Sequence, residues 1–428
     1  MAPLEPMTRA RANYALGVLV LVYAVNFIDR NILSVLLQPI KEDLGASDTA
    51  MGFLTGFAFA VFYTFAGIPI ARIADRGSRR AVMAVGIAFW SLMTAASGQA
   101  RSFAQLAIAR IGVGVGEASA TPAAHSLISD YFPPDRRTRA IAIYNTGAGL
   151  GVLFGLLLGG WLQETVGWRT AFAVVGLPGL AVALLVRFTL PEPERGHSEG
   201  IRDDGEAPGV VETLRYLGSL RTFQHLALAA GLYGMTAYGL LGWAPTFMRR
   251  VHELGYAEVG LKLGLVIGIA GSIGAYFGGV LCDRLARRDR RWLLWIPALA
   301  GALLAPFYAI FVLADDPGLA LLAFVPVNLL NVIFAPPTYT ITQGLARLRM
   351  RAMASAIVLF VLNLIGLGLG PTLVGAMNDW LEPRYGVGAV RASLLLLLIA
   401  SSWGVVHSLL AARTLEADLD RAAAVDRD

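Results

Sequence analysis

Apolar runs of about 20 residues, the length an α-helix needs to cross the hydrocarbon core of a bilayer, recur along nearly the whole chain. Roughly twelve can be marked off on this criterion. They lie near Tyr14–Leu37, Ala50–Ile73, Ala81–Gln99, Phe103–Ile128, Ala140–Leu162 and Trp168–Leu190. A second set lies near Phe223–Met248, Gly260–Cys282, Trp292–Leu313, Gly318–Leu345, Ala352–Met377 and Ala389–Ala412. One long polar stretch, Pro191 to Arg221, separates the sets and reads as an exposed linker with a surface helix over Val210–Leu220. The pattern predicts an all-α membrane protein of two six-helix bundles. Residues 1–190 form the first, 191–222 the linker, and 223–428 the second with a short tail.

Composition strengthens this picture. Hydrophobic residues make up 56% of the chain and charged residues 15%, far from the soluble average. Hydropathy is high throughout, and the opening MAPLEPMTRARAN lacks the apolar core and cleavage site of a secretory signal. Cys282 is the only cysteine, which excludes an intramolecular disulfide and a cysteine-based metal cluster. Neither a metal nor a cofactor is expected. The net charge of +5 could indicate nucleic acid, but the arginines sit in short loops between apolar runs. Arg9/Arg11, Arg76/Arg79/Arg80, Arg136/Arg137/Arg139, Arg195/Arg202, Arg284/Arg287/Arg288 and Arg347/Arg349/Arg351 fall in every second loop. Only Arg249-Arg250 breaks the alternation. The bias places both termini and the linker in the cytoplasm.

Charges inside the apolar runs carry the functional argument, because each costs several kcal/mol unless it is paired or faces water. Arg110 and Glu117 are seven residues apart, hence on one helix face, with Gly112, Gly114 and Gly116 between them. Asp29 and Arg30 lie in the first run. At 1.5 Å per residue Asp29 is about 22 Å in from Tyr14, while Arg110 is roughly 10 Å and Glu117 about 20 Å in from the opposite side. Asp29 and Arg110 therefore share a depth. Desolvation favours a neutral carboxyl there and the arginine favours a charged one, and that competition makes a protonation switch. The plainer alternative is a static ion pair that specifies helix packing.

The two halves repeat a motif. Ala71-Arg72-Ile73-Ala74-Asp75-Arg76-Gly77-Ser78-Arg79-Arg80 closes the second run, and Gly279-Val280-Leu281-Cys282-Asp283-Arg284-Leu285-Ala286-Arg287-Arg288 closes its counterpart. The second copy resembles the G-x-L-x-D-R-x-x-R-R loop of the major facilitator superfamily; the first departs at Ala71 and Ser78. The resemblance implies that fold, alternating access by rocking of the halves, and a conformational latch at Asp75, Arg76, Arg80, Asp283, Arg284 and Arg288 that stabilises an outward-open state. The alternative is that these charges only fix topology.

Further residues narrow the resemblance. Asn26-Phe27-Ile28-Asp29-Arg30, Gly114-Val115-Gly116-Glu117-Ala118 and Asp130-Tyr131-Phe132-Pro133-Pro134-Asp135-Arg136-Arg137 resemble the spinster branch. Gly370-Pro371 with Gly375 and Asn378-Asp379 resembles its eleventh helix, although that branch commonly has serine before the aspartate. Spinster-like proteins export sphingolipids and lysophospholipids in animals and are thought to be proton-coupled. The resemblance implies Asp29 as the proton site, with Arg30, Arg110 and Glu117 as its charge network. Anion symporters of the superfamily share an Asp-Arg pair in the first helix, so that reading stays open.

The second half carries neutral candidates for substrate contact: Tyr233, Thr236, Asn328, Asn331 and Asn363. Taken singly, each is more simply explained as helix-to-helix glue. A charged half facing an apolar, aromatic half suits an amphipath with one polar head. The expected function is proton-coupled export of a lipid-like molecule of the sphingosine phosphate or lysophospholipid type, with the proton as coupling ion. The alternative is proton-coupled transport of small organic anions or drugs. No nucleophile–base pattern or phosphate-binding loop stands out, which argues against an enzyme or an ATP-driven pump. A monomer in a bacterial inner membrane, with membrane lipids as its surroundings and no nucleic acid partner, completes the expectation.

Overall fold

The computed structural model describes residues 8–193, 209–347 and 350–425, and these are helical with no strand among them. Arg195, Arg202 and Arg349, named above, lie outside the described residues, as do the side chains of Asp75 and Arg76.

Helix α1 covers Arg9–Leu44; the Thr8 side chain caps it by accepting from Arg11 N–H, and Gly45 closes it at φ 61°. Helix α2 covers Asp48–Ala74 and widens into a π-helical turn at Leu54–Ala58. Helix α3 covers Arg79–Ser97 behind a Ser78 cap. Helix α4 is in two pieces, Phe103–Glu117 and Ala120–Tyr131. The break has a local cause. Ser119 donates both its N–H and its hydroxyl to the Gly116 carbonyl, which tightens the turn, and Pro122 has no N–H to return to Ala118. The single run expected here is thus interrupted directly after Glu117.

Pro134–Thr189 runs on without a loop and turns at Gly167, whose φ of 77° only glycine adopts freely. We take 134–166 as α5 and 168–189 as α6. Helix α7 covers Arg221–His252, α8 Tyr256–Ala286, α9 Trp292–Leu313 and α10 Pro317–Leu345. Helix α11 comprises Arg351–Val361, a π-helical stretch Leu362–Leu369, and Gly370–Tyr385; α12 covers Ala389–Val425. Among the described residues nine helices are long and apolar enough to cross a membrane. Two of these are double spans, and the divided α4 adds one more, giving the twelve spans of the sequence pattern.

Contacts within the chain define two compact units. The first contains Met1–Ala46, Ala58–Asp204 and Gly255–Gly264, and the second Ser47–Phe57, Gly205–Leu254 and Leu265–Asp428. In the first, α1 and α5 meet along a row of glycines spaced by four: Gly147, Gly151, Gly155 and Gly159 lie against Val20, Phe27, Ile28 and Ile32. The run Gly147/Gly149/Gly151 is therefore a fragment of a longer packing stripe. A Cβ added at Gly151 would fall 2.4 Å from the Phe27 Cβ and 2.5 Å from the Ala24 carbonyl oxygen. Gly151→Val is expected to destabilise the protein by at least 1–3 kcal/mol, roughly the cost of overpacking, read as an earlier thermal transition in detergent. In the second unit Gly366 sits against Gly234, so α7 and α11 approach as closely. Large apolar side chains such as Ile108, Phe188 and Trp380 point outward, as a lipid-facing surface requires.

Candidate functional site

Four charged side chains meet inside the first unit. Asp29 and Glu117 are fully buried and Arg110 is 3% exposed. Arg30 donates to Glu117 Oε2 from Nη2 at 2.7 Å and from Nε at 3.2 Å. Its guanidinium also lies over the rings of Phe27, Phe59 and Tyr63 at 4.9, 4.7 and 5.2 Å, a cation–π cage that holds the charge in an apolar setting. Arg110 donates Nη1 to the backbone carbonyl of Asp29 at 3.3 Å rather than to its carboxylate. The sequence placed Asp29 and Arg110 at one depth; the structure adds that Glu117 pairs with Arg30.

Both carboxylate oxygens of Asp29 are buried and accept no hydrogen bond among the described residues. Trp90 and Thr94 of α3 approach that carboxyl as its nearest donors, and among the described residues Trp90 Nε1, Thr94 Oγ1 and Arg110 Nε are buried with no acceptor at ordinary hydrogen-bond geometry. A carboxyl so placed can hold a proton in one state and accept from these donors in another. Trp90 and Thr94 carried no signal in the sequence, because only the packing of α3 against α1 and α4 brings them there. That packing is close: a Cβ on Gly116 would lie 2.8 Å from the Trp90 Cβ and 3.0 Å from the Gly86 carbonyl oxygen.

The loop motif after α2 builds a second network, centred on a residue other than those expected. Arg79, 2% exposed, forms an ion pair with Asp130, donates Nε to Glu192 at 3.1 Å, and reaches Ser126 Oγ and the Pro193 carbonyl. Arg80 donates its N–H to Glu192 at 2.8 Å and Nη1 to the Leu190 carbonyl. Glu192 also accepts from the Ser78 hydroxyl at 2.7 Å. Burial alone would push the Glu192 carboxyl up, but the Ser78 hydroxyl, the Arg80 N–H and the Arg79 guanidinium together hold it below the usual carboxylate range. Its stabilising contribution is therefore present above the unfolded-state value and lost as pH falls through the folded-state value. Glu192→Gln is expected to lower the thermal midpoint at neutral pH, with the gap to the native protein closing on titration from about pH 7 to about pH 3. A gap independent of pH would contradict this. In the second copy Asp283, Arg284 and Arg288 are exposed and form no such network among the described residues.

A third cluster, in the second unit, was not foreseen. Asp48, 1% exposed at the start of α2, accepts from Arg250 Nη1 at 2.5 Å and Nη2 at 2.7 Å, and from Asn378 Nδ2 at 3.0 Å. Asp379 accepts from the N–H groups of Asp48 and Thr49 at 2.9 and 2.7 Å and from the Thr49 hydroxyl, capping α2 from α11. The backbones touch: a Cβ at Gly375 would lie 2.2 Å from the Asp48 carbonyl oxygen. The available signal was Arg250, half of the one basic pair that broke the loop alternation; its charge is used by Asp48. The first unit has a related cap, where Glu164 of α5 accepts from Ala257 N–H of α8 at 3.0 Å.

The neutral candidates fare differently from one another. The Tyr233 hydroxyl lies 3.2 Å from Ser408 Oγ, and Thr236 donates to the Leu397 carbonyl at 3.1 Å. Asn328 donates to the Phe324 carbonyl at 2.8 Å, one turn back in its own helix. Asn331 lines a small cavity with Tyr233, Pro297, Gly301, Leu330 and Phe334. Asn363 is buried in the π-helical stretch of α11.

A family model described as Major Facilitator Superfamily matches residues 19–371. An MFS-type efflux pump of Mycolicibacterium smegmatis is 37% identical over 91% of this chain and 90% of its own length. A probable L-galactonate transporter of Escherichia coli is 28% identical over 65% of this chain and 64% of its own. The crystal structure of a bacterial homologue of the human lysosomal transporter Spinster, inward-facing and unoccupied, superposes with a TM-score of 0.87. It is 30% identical and covers 96% of this chain and 99% of that one.

Proposed function

The chain belongs to the Major Facilitator Superfamily as a spinster-like transporter, and from that premise we propose that it moves an amphipathic, lipid-like substrate outward, driven by protons, through alternating access. The observation that carries this reading is Asp29: a fully buried carboxyl whose oxygens accept no hydrogen bond of ordinary geometry among the described residues, with Trp90 and Thr94 beside it and arginines at positions 30 and 110. A merely structural aspartate would be satisfied by its neighbours. Asp29 takes up and gives up the coupling proton. Deprotonated, it draws on Arg110; protonated, it releases that arginine. Arg30, held by Glu117 and the aromatic cage, takes the anionic head group. The arginine pattern supports cytoplasmic termini in an inner membrane, and the superfamily supports a monomer.

A second reading is transport of a small sugar acid, supported by the likeness to the galactonate transporter and by the arginines of the first unit. The second unit favours the lipid-like substrate. Thr236 and Asn328 spend their polar groups on backbone carbonyls, and Phe334, Leu330 and Pro297 surround Asn331. A polyhydroxy acid needs many donors and acceptors, and leaving them unpaired on binding costs about 1–3 kcal/mol each. Proton uptake or release by the purified protein, on addition of a lysophospholipid or of glucarate, decides between them. A signal from the lysophospholipid that Asp29→Asn abolishes supports the first reading. A signal from glucarate alone replaces it with the second, and binding without any proton signal removes proton coupling.

A further inference from the structure

The short helix Val210–Ser219 is strongly amphipathic: Val210, Thr213, Leu214 and Leu217, three and four apart, form one stripe, and Glu212 and Arg215 lie opposite. Thr213 and Leu217 are fully buried, and Leu217 joins a core cluster with Leu220, Phe223, Leu294, Leu345 and Leu415. The Tyr216 hydroxyl donates to the Leu345 carbonyl at 3.2 Å, and Arg347 lies over the Tyr216 ring at 4.6 Å. The helix is therefore fixed to its unit on one side. Along the outer margin of the same apolar stripe Val210, Val211 and Leu214 are 49%, 69% and 47% exposed.

We propose that this outer face is seated in the headgroup–acyl boundary of the bilayer as an in-plane anchor. Three observations select lipid as the occupant. Ten residues span about 15 Å, too short to cross a membrane, and the chain enters the spanning helix α7 at Arg221, directly after an extended Leu220. Trp295 packs against the same core cluster and Trp292 stacks edge-on to it at 5.3 Å, and tryptophans at a span's first turn mark the membrane–water interface. Arg215, one turn on from Val211, is exposed and can lay its stem along the apolar face while its charge reaches the headgroups.

The test places a nitroxide on Val211→Cys, Leu214→Cys and Glu212→Cys of the full chain in nanodiscs of phosphatidylethanolamine and phosphatidylglycerol; Cys282 is buried and is not a competing site. At positions 211 and 214 the label is expected to be more accessible to oxygen than to a soluble nickel chelate, with the order reversed at 212. Equal aqueous accessibility at all three overturns the proposal. Strong coupling between labels on two copies also overturns it, because a second chain would then cover the face. Having two positions on the lipid face keeps the test decisive if one variant fails to fold.

Discussion

Replacing Asp29 with asparagine is expected to abolish pH-driven accumulation of substrate in proteoliposomes while leaving counterflow and folding intact. Asparagine matches the aspartate in shape, so the packing of α1 against α3 is kept and only the titratable proton is lost. Counterflow needs the halves to alternate with substrate bound but needs no net proton movement, so it separates coupling from collapse. Retention of uphill transport by the variant would assign the coupling proton elsewhere, with Glu117 next in line because it is fully buried beside the same arginines. Glu117→Gln is a different experiment. It removes the anion that Arg30 pairs with at 2.7 Å, and leaves the half-buried guanidinium over the rings of Phe27, Phe59 and Tyr63.

The second large effect is expected at Arg250. Truncation to alanine removes both guanidinium donors from the buried Asp48 carboxylate, and stranding one member of a buried pair costs about 3–5 kcal/mol. Arg250→Ala should therefore melt far below the native protein in detergent. Adding Asp48→Asn removes the stranded charge, so the double variant is expected to be more stable than Arg250→Ala alone. That non-additivity separates a true pair from two independent contacts. Arg250→Lys is expected to fall between, since a lysine keeps the charge but cannot donate in the two-pronged geometry. If single and double variants melt together, the pair carries no coupling and the helix cap at Asp379 holds α2 unaided.

The reasons why some of this was legible in the sequence, and some not, are physical. Hydrophobic run length fixes a span because the bilayer has a set thickness, so the twelve spans could be read directly. Asp29, Arg30, Arg110 and Glu117 stood out because a charge in an apolar run has few cheap explanations. The pairing of Arg30 with Glu117 depends on rotation of one helix about its axis, which run length does not encode. Arg79 and Arg80 are the first two residues of α3 and look alike in the sequence, and the Arg79 partner Glu192 lies 113 residues away. The π-helical turns at Leu54–Ala58, Val266–Ala270 and Leu362–Leu369 have no composition of their own, since a widened turn is a response to neighbours rather than to propensity. His225 and His407, whose Nδ1 atoms lie 2.8 Å apart, carry no sequence signal for a similar reason: each is a lone histidine in its own run.

The partition of the chain bears on how it can be divided as a gene. Within the linker Glu192 and Pro193 are gripped by Arg79, and the surface helix follows Gly209, so a split of the gene that spares both contacts cuts after Pro193 and before Gly209. Such a split yields two polypeptides, yet neither holds a whole folding unit: Ser47–Phe57 is made with the first half and needed by the second unit, and Gly255–Gly264 is the reverse. Half-genes expressed apart should give unstable products, and expressed together should complement.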